Sequence, residues 1–415
     1  MSSATGTRRP CWPKHRADED IPASRTTRWE PGRGPVELTI AAAGDQLEAL
    51  SDLRLEVRRY LESEIDEGGF VPQADAWLSG IDPSFSRRLA QRGWVGMTVP
   101  AEYGGPGRSE LERFVVTEEL LAAGAPVAAH WIADRQMVPG ILRNGSEQQR
   151  RKYLPGIVEG QRFFGIGMSE PESGSDLASV RTRAREVADG WVLTGTKLWT
   201  SSAHVATNLV VLARTDDTED RHGGLSQFVV DLPHPQVQVL PIITIDGGHH
   251  FNEIVLDDAL LPAAALLGQR GEGWRQVVGE LANERSGPER ILSTLPLLRA
   301  WAARTDTWTD PASRLALGRL VARMAVLRQM SLGVAVQLSG GQDPSVTAAM
   351  VKDLGTVYEG EVVETVRAFA HVEPDVNGDQ FDRLLANAVL HTPAFTLRGG
   401  TNEVLRSVVA KAVQA

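Results

Sequence analysis

Apolar residues recur at steps of three and four along much of the chain, the spacing that lines one face of a 3.6-residue helix. Leu50, Leu53, Val57 and Leu61 carry this pattern first, and Leu111, Val115, Leu120 and Leu121 repeat it. Ser146 followed by Gln149 is a capping box and predicts a short helix bearing Tyr153 and Leu154. Residues 38–162 are therefore expected to form a helical N-terminal domain. Between 163 and 270 the pattern changes to short extended runs at 191–193, 209–212, 228–230, 237–245 and 254–256. Asp189 and Gly190 lie between two extended stretches as a hairpin signal, so a small antiparallel β domain is expected. Helical spacing returns over 271–415: Trp274, Val277, Val278 and Leu281 form one stripe, followed by Ile291, Leu292, Leu295 and Leu298. Further helices are expected over 315–338 and 345–369, with a last one starting near Thr401. The order helical, β, helical separates the chain from doubly wound α/β dehydrogenases, and no Gly-x-Gly-x-x-Gly fingerprint is present. No internal repeat is visible.

Composition narrows the function without naming it. The chain has 415 residues, 42% of them hydrophobic and 23% charged, values typical of a globular protein with room for about three domains. Residues 1–37 mix Arg8, Arg9, Lys14, Arg16 and Arg25 with Pro10, Pro13, Pro22, Pro31 and Pro35, and a flexible tail is expected there. No apolar stretch follows Arg8 and Arg9, so a twin-arginine export signal is not expected. A net charge of −10 argues against a general nucleic-acid binder. The apolar stretch 259–268 contains Pro262 and falls well short of the roughly 20 residues of a membrane span. Cys11 is the single cysteine, which excludes an internal disulfide or a cysteine-rich metal site and suits a reducing cytoplasm. The nine histidines show no metal-ligand spacing; His371 and His391 are read as structural or solvated, and no metal is expected.

One segment carries the chemistry: Met168, Ser169, Glu170, Pro171, Glu172, Ser173, Gly174, Ser175 and Asp176. Small hydroxyl residues and glycine beside a turn-forming proline let backbone N–H groups approach a flat or anionic ligand closely. An ordinary polar turn has the same composition. Taken together with Gly195, Thr196, Lys197, Leu198, Trp199, Thr200 and Ser201, however, this segment resembles the paired flavin-site motifs of the acyl-CoA dehydrogenase family. Gly93, Trp94, Gly96, Pro100, Glu102, Tyr103, Gly104 and Gly105 resemble the family's N-terminal signature. Phe251, Asn252, Glu253, Val255, Asp257, Asp258 and Pro262, then Leu267, Gly268, Gly271, Gly273 and Trp274, resemble its junction into the third domain. Gly399, Gly400, Thr401, Asn402, Glu403 and Arg406 resemble its C-terminal motif.

The resemblance implies a mostly α fold with a central β barrel: a helical domain, a barrel over 163–270 and a C-terminal four-helix bundle over 271–415, holding FAD. It also implies roles. Met168, Ser169, Gly174, Ser175, Trp199, Thr200 and Ser201 line the flavin; Thr401 and Glu403 contact the adenosine half across a subunit boundary; Ser175 and Arg285 guide the thioester. Expected partners are an acyl thioester of coenzyme A or acyl carrier protein, an electron-transfer flavoprotein, and further subunits in a homodimer or homotetramer, or a hetero-oligomer. No nucleic acid or membrane is expected, and fatty acid metabolism is the implied setting.

Desaturating an acyl thioester removes the α-proton while hydride leaves the β-carbon for flavin, so a carboxylate in a dry site is the feature to seek. The family places this base either immediately before the Gly-Thr pair of the C-terminal motif or on the first helix of the C-terminal domain, before an arginine. The first position is Gly399 here, which has no side chain; the second is Glu284, before Arg285. Glu284 is the candidate base, and Val277, Leu281 and Glu284 share one helical stripe. Glu289, after Pro288, is the rival carboxylate. Gly399 retains a backbone N–H that, in the family, polarises the thioester carbonyl together with a flavin hydroxyl. The family's Arg-x-x-Phe-Gly segment is absent from 300–323, where Arg304, Arg314 and Arg319 occur without it, and a second subunit that supplies the missing groups is one explanation. A flavin monooxygenase on the same fold, or a non-catalytic subunit, are the competing readings.

Overall fold

The computed structural model describes residues 47–285 and 287–414, apart from the side chains of 281–284; the tail expected over 1–37 and Cys11 lie outside the described residues. The N-terminal helices follow the sequence pattern. In α1 (Ser51–Asp66), Val57 and Leu61 are the buried residues. After α2 (Ala76–Ser79), Asp82 opens α3 (Pro83–Gln91) by accepting the Ser84 and Phe85 N–H groups, two donors that a helix start leaves unpaired. Ser109 and Glu112 form a reciprocal capping box on α4 (Glu110–Ala122). A single π turn at Ala133–Met137 joins α5 (Ala128–Ile132) to α6 (Val138–Asn144). The expected Ser146–Gln149 capping box opens α7 (Glu147–Val158).

Eight strands follow: β1 (Phe164–Gly167), β2 (Arg183–Val187), β3 (Gly190–Ser201), β4 (Asn208–Arg214), β5 (Leu225–Asp231), β6 (Val237–Ile242), β7 (Phe251–Pro262) and β8 (Leu266–Leu267). They form one sheet in the order β6-β7-β3-β2-β4-β5-β8, with β1 parallel to β4. The expected barrel is corrected to an open sheet. Closure fails because the two end strands do not match: β8 has two residues, and β6, which among the described residues pairs only with β7, carries Pro241, which has no N–H to donate to a further strand. In the middle, β2 meets β4 through one residue pair, Arg183 with Arg214. Leu209, Val210, Val211, Leu212 and Ala213 of β4 are all buried, as expected of a strand covered on both faces. The expected hairpin is present one residue earlier than its signal: Val187 pairs with Gly190, so Ala188 and Asp189 form the turn. The run expected to extend to residue 245 ends as a strand at Ile242.

The C-terminal region comprises α8 (Gly273–Arg285), α9 (Leu295–Ala302), α10 (Thr305–Thr309), α11 (Pro311–Ser339), α12 (Ser345–Phe369), α13 (Gln380–Phe395) and α14 (Asn402–Gln414). The long α12 is its centre and packs against α8, α11, α13 and α14. On α8, Val277 is buried, but Val278 is exposed and does not belong to the core stripe. Among the described residues, no helix is long and apolar enough to cross a membrane.

His130 on α5 is buried, and its Nδ1 lies 2.8 Å from Ser86 Oγ. Burial pushes its pKa down to about 4, against the pull of Asp134, so folding favours the neutral ring. Because the folded-state value lies below the unfolded one, this contribution to stability is complete above about pH 6.5 and is lost as pH falls towards 4, a change of about 3 kcal/mol. Urea unfolding of the His130→Gln variant is expected to show a correspondingly shallower loss of stability over that range. An unchanged pH slope would contradict the assignment.

Candidate active site

Trp199 is the residue on which the sheet opens outward. Lys197 pairs with Ile254 and Thr200 with Asn252, so β3 carries one residue more than β7 across this step, a β-bulge. Trp199 adopts φ +60 there and Ser202 follows at φ +53, a left-handed backbone that bulky residues avoid unless the surrounding structure enforces it. The bulge turns the indole out of the sheet: it is 55% exposed and meets Phe251 edge-on at 5.7 Å. Thr200 is fully buried, with its carbonyl accepting from Asn252 Nδ2 at 3.0 Å. The outward surface of this strand end is therefore made by Trp199 and the half-buried Ser201.

A buried ion pair brings the other motif alongside. Lys197 Nζ donates to the Met168 carbonyl at 3.1 Å and to Glu170 Oε1 at 2.7 Å. Glu170 also accepts the Arg181 N–H at 2.6 Å and the Thr182 N–H and hydroxyl at 2.9 and 2.6 Å. Leu198 N–H donates to the Ser169 carbonyl at 2.9 Å. Burial pulls the Lys197 ammonium down to about 8 despite Glu170. Burial likewise raises Glu170, but the charge of Lys197 and the converging hydrogen bonds outweigh it and hold the carboxyl below its usual range.

Met168 and Ser169 thus lie alongside Lys197 and Leu198, immediately before Trp199, although two separate stretches of chain supply them. Beyond them, Glu170 and Ser173 close a turn through reciprocal backbone hydrogen bonds, and Gly174 and Ser175 follow it as exposed residues. A Cβ on Gly174 would meet nothing within 4 Å, so the backbone here is open to its surroundings. An outward aromatic plane, flanking hydroxyls and an open turn fit a flat ring system with polar edges, such as a flavin.

The C-terminal motif forms a second centre. Gly399 and Gly400 adopt φ +68 and +89, and a Cβ on Gly400 would come within 3.0 Å of Arg285 Nη2. Arg285 Nε donates to the Gly399 carbonyl at 3.0 Å, tying the end of α8 to this turn. Glu284 immediately precedes Arg285 in α8; its side chain lies outside the described residues. The Gly399 N–H meets no acceptor among the described residues. The rival Glu289 is buried against Arg135, at 3.7 Å. Thr401 immediately precedes α14 and Glu403 lies in its first turn, where Thr401 Oγ1 accepts the Val404 N–H at 3.4 Å. Its own backbone N–H, with the Thr401 side chain, holds the Glu403 carboxyl below its usual value. Neither residue is hydrogen-bonded to Trp199 or its neighbours among the described residues. A cleft of about 350 Å³ lined by Arg54, Leu292, Leu298 and Arg328 shares no residue with either centre.

Two supporting groups escaped the sequence reading. Buried Lys352 on α12 donates to the Gly400 carbonyl and Asn402 Oδ1, both at 2.8 Å, and holds the glycine turn from below. A lysine one step from Val351 in an apolar helix was the available signal. Arg398 grips fully buried Asp75 in two hydrogen bonds of 2.6 and 2.7 Å, and His391 bridges Asp75 and Asp246 at 3.0 Å each. His391 is thus a bridging residue, not a solvated one.

Comparison with known proteins shows the family. The family model described as "Acyl-CoA dehydrogenase, N-terminal domain" matches residues 48–161, and "Acyl-CoA dehydrogenase, middle domain" matches 165–259. The chain is 35% identical over 341 residues to "Acyl-CoA dehydrogenase IpdE1" of Mycobacterium tuberculosis, covering 80% of this chain and 86% of the relative. A solved structure described as "Tcur3481-Tcur3483 steroid ACAD" superposes with a TM-score of 0.77 at 27% identity, over 88% of this chain and 97% of the other. The ChsE4-ChsE5 complex from Mycobacterium tuberculosis gives 0.73 at 28% identity, over 88% and 97%. The chain belongs to the acyl-CoA dehydrogenase family. Its class is that of oxidoreductases acting on the CH–CH bond of acyl-CoA, a family of flavoproteins.

Breaking the Lys197–Glu170 pair from one side leaves a buried charge unpaired. Lys197→Met is expected to lower stability by about 3–5 kcal/mol, and the Lys197→Met/Glu170→Gln double variant to recover part of that loss. Denaturant unfolding of these two variants and of the Glu170→Gln single variant measures this; additive losses would contradict the coupling.

Proposed function

We propose that this chain catalyses FAD-dependent α,β-dehydrogenation of an acyl-CoA to its trans-2-enoyl thioester. The observation that carries the reading is the Arg285–Gly399 hydrogen bond of 3.0 Å, which sets the end of α8, and so Glu284, beside the glycine turn. At that turn the family's other base position has no side chain, so the carboxylate comes from α8.

The roles follow from the chemistry of each group. Glu284 takes the proton from the α-carbon. The Gly399 N–H donates to the thioester carbonyl and stabilises the enolate-like charge, a kind of donor whose loss typically costs about 3–4 kcal/mol of transition-state stabilisation. Arg285 is a positioning residue that holds the two centres together. Trp199 covers the ring system, Met168, Ser169 and Ser201 hold its edge, and Gly174 and Ser175 leave room for the pantetheine or phosphate portion of the ligand; Thr200, expected to line the ring, is fully buried and instead ties the strand to Asn252 through its carbonyl. Thr401 and Glu403 reach the adenosine half across a subunit boundary. Bound FAD supplies the hydride acceptor for the β-carbon. A monooxygenase does not need an α-proton base, which favours dehydrogenation.

The description of a 27% identical structure as a steroid ACAD supports a bulky, ring-bearing acyl group as the substrate class. Assembly with a second subunit is supported by the ChsE4-ChsE5 complex, by the missing Arg-x-x-Phe-Gly segment, and by outward apolar residues of α11, Leu315 at 58% and Val326 at 62% exposure. Electrons leave to an electron-transfer flavoprotein, and a cytoplasmic setting suits the reaction. Gly399 also supports a second reading, a subunit that completes a partner's site without catalysing the reaction itself.

In FAD-reconstituted protein mixed anaerobically with acyl-CoA, Glu284→Gln is expected to slow flavin bleaching about 10²–10⁴-fold while flavin remains bound. Undiminished bleaching in the variant would overturn Glu284 as the base; no bleaching in the unsubstituted protein would favour the non-catalytic reading. Expressed alone, the chain is expected to carry less than one FAD per subunit, and a fully loaded homotetramer on size-exclusion chromatography would contradict the need for a partner.

A further inference from the structure

Two elements distant in sequence converge beyond the strand end that carries Ser201. Asp246 and His250 lie in the connection between β6 and β7, and His391 lies on α13. His250 Nε2 and His391 Nε2 both approach Asp246 Oδ2, at 2.6 and 3.0 Å. Their rings stand 5.4 Å apart, and one potential ligand atom from each of the three residues falls within 4.8 Å of the others.

The remaining atoms are arranged to orient these groups. Asp246 Oδ1 is occupied by the Thr244 hydroxyl and by the Gly248 N–H at 3.2 Å, which leaves Oδ2 for the two imidazoles. His391 Nδ1 faces Asp75 Oδ2 at 3.0 Å, and Arg398 fixes Asp75 in turn. A carboxylate on the far nitrogen of an imidazole is the usual support of a metal-bound histidine, because it fixes the ring and its tautomer. The ligand side chains are 10–12% exposed, so solvent reaches the point where they meet.

We propose that Asp246, His250 and His391 form a two-histidine, one-carboxylate site for a divalent metal of the zinc type, fastening the β6–β7 connection to α13. Nitrogen and carboxylate oxygen ligands about 2.0–2.2 Å from zinc in tetrahedral geometry stand roughly 3.3 Å apart. The observed separations of 2.6 and 3.0 Å need to open by about 0.7 and 0.3 Å respectively. Three protein ligands leave the fourth position to water. His391 then donates Nδ1–H to Asp75 and offers Nε2 to the metal, the tautomer that its neighbours dictate. Sequence spacing hides the site, since Asp246 and His391 are 145 residues apart.

The test uses FAD-loaded full-length protein, stripped with a chelator and dialysed against zinc at micromolar concentration. Elemental analysis is expected to find one zinc per chain, with a higher melting temperature than the stripped form. His250→Gln and His391→Gln are each expected to weaken zinc binding by at least 100-fold, and Asp75→Asn by about 10–100-fold. His222→Ala, elsewhere on the surface, is expected to bind zinc as the unsubstituted protein does. Circular dichroism checks that each variant is folded. Should either glutamine variant fail to fold, Asp246→Asn and the zinc-dependent melting shift of the unsubstituted protein decide. Stoichiometry below about one-tenth per chain, or affinity unchanged in the folded ligand variants, overturns the proposal and leaves a protonated His391 as the bridge between Asp75 and Asp246.

Discussion

The site depends on one buried charge pair. Lys197 is fully buried in β3, and the nearby carboxylate able to compensate its charge is Glu170, 2.7 Å away in the polar turn after β1. Placing an ammonium in a dry interior is costly unless it is paired and hydrogen-bonded, so this contact dictates where the turn sits against the strand. With Glu170 held, Ser169 meets Leu198 through the backbone and Met168 caps the lysine. The bulge that follows turns Trp199 outward. A flat hydrophobic surface with polar edges results from satisfying one buried charge.

The second constraint is conformational. Gly399 and Gly400 both lie in the left-handed region, and the guanidinium of Arg285 fills the space that a side chain on Gly400 would claim. Arg285 and Lys352 reach the same turn from α8 and α12, so the turn is held by hydrogen bonds from two helices. A carboxylate at position 399 would require a non-glycine residue at positive φ. In the proposed arrangement the carboxylate comes from the adjacent end of α8, which avoids that strain while keeping the backbone N–H of the turn.

Much of this organisation is legible in the chain because it is local. Helix caps such as Ser146–Gln149, the stripe through Val57 and Leu61, and the paired motifs around Ser169 and Trp199 are short-range patterns that survive folding unchanged. What is not legible involves pairing at a distance. Whether the sheet closes depends on β6 and β8 as edge strands, and no local signal in either says which neighbour it meets. Val278 matched the helical period of α8 yet faces outward, because periodicity gives a spacing and not the side on which the rest of the protein lies. Asp75 and His391 meet across 316 residues of sequence, and only the fold reveals that a histidine on α13 has carboxylates on both sides.

The central claim is that the end of α8 and the Gly399 turn together make a centre that removes a proton next to a thioester carbonyl. Incubating the FAD-loaded protein with a saturated acyl-CoA in D₂O, and following the thioester by mass spectrometry, reads this step directly. The account predicts deuterium at the α-carbon of recovered substrate together with enoyl product. A thioester that keeps all its α-hydrogens and yields no enoyl product would contradict it.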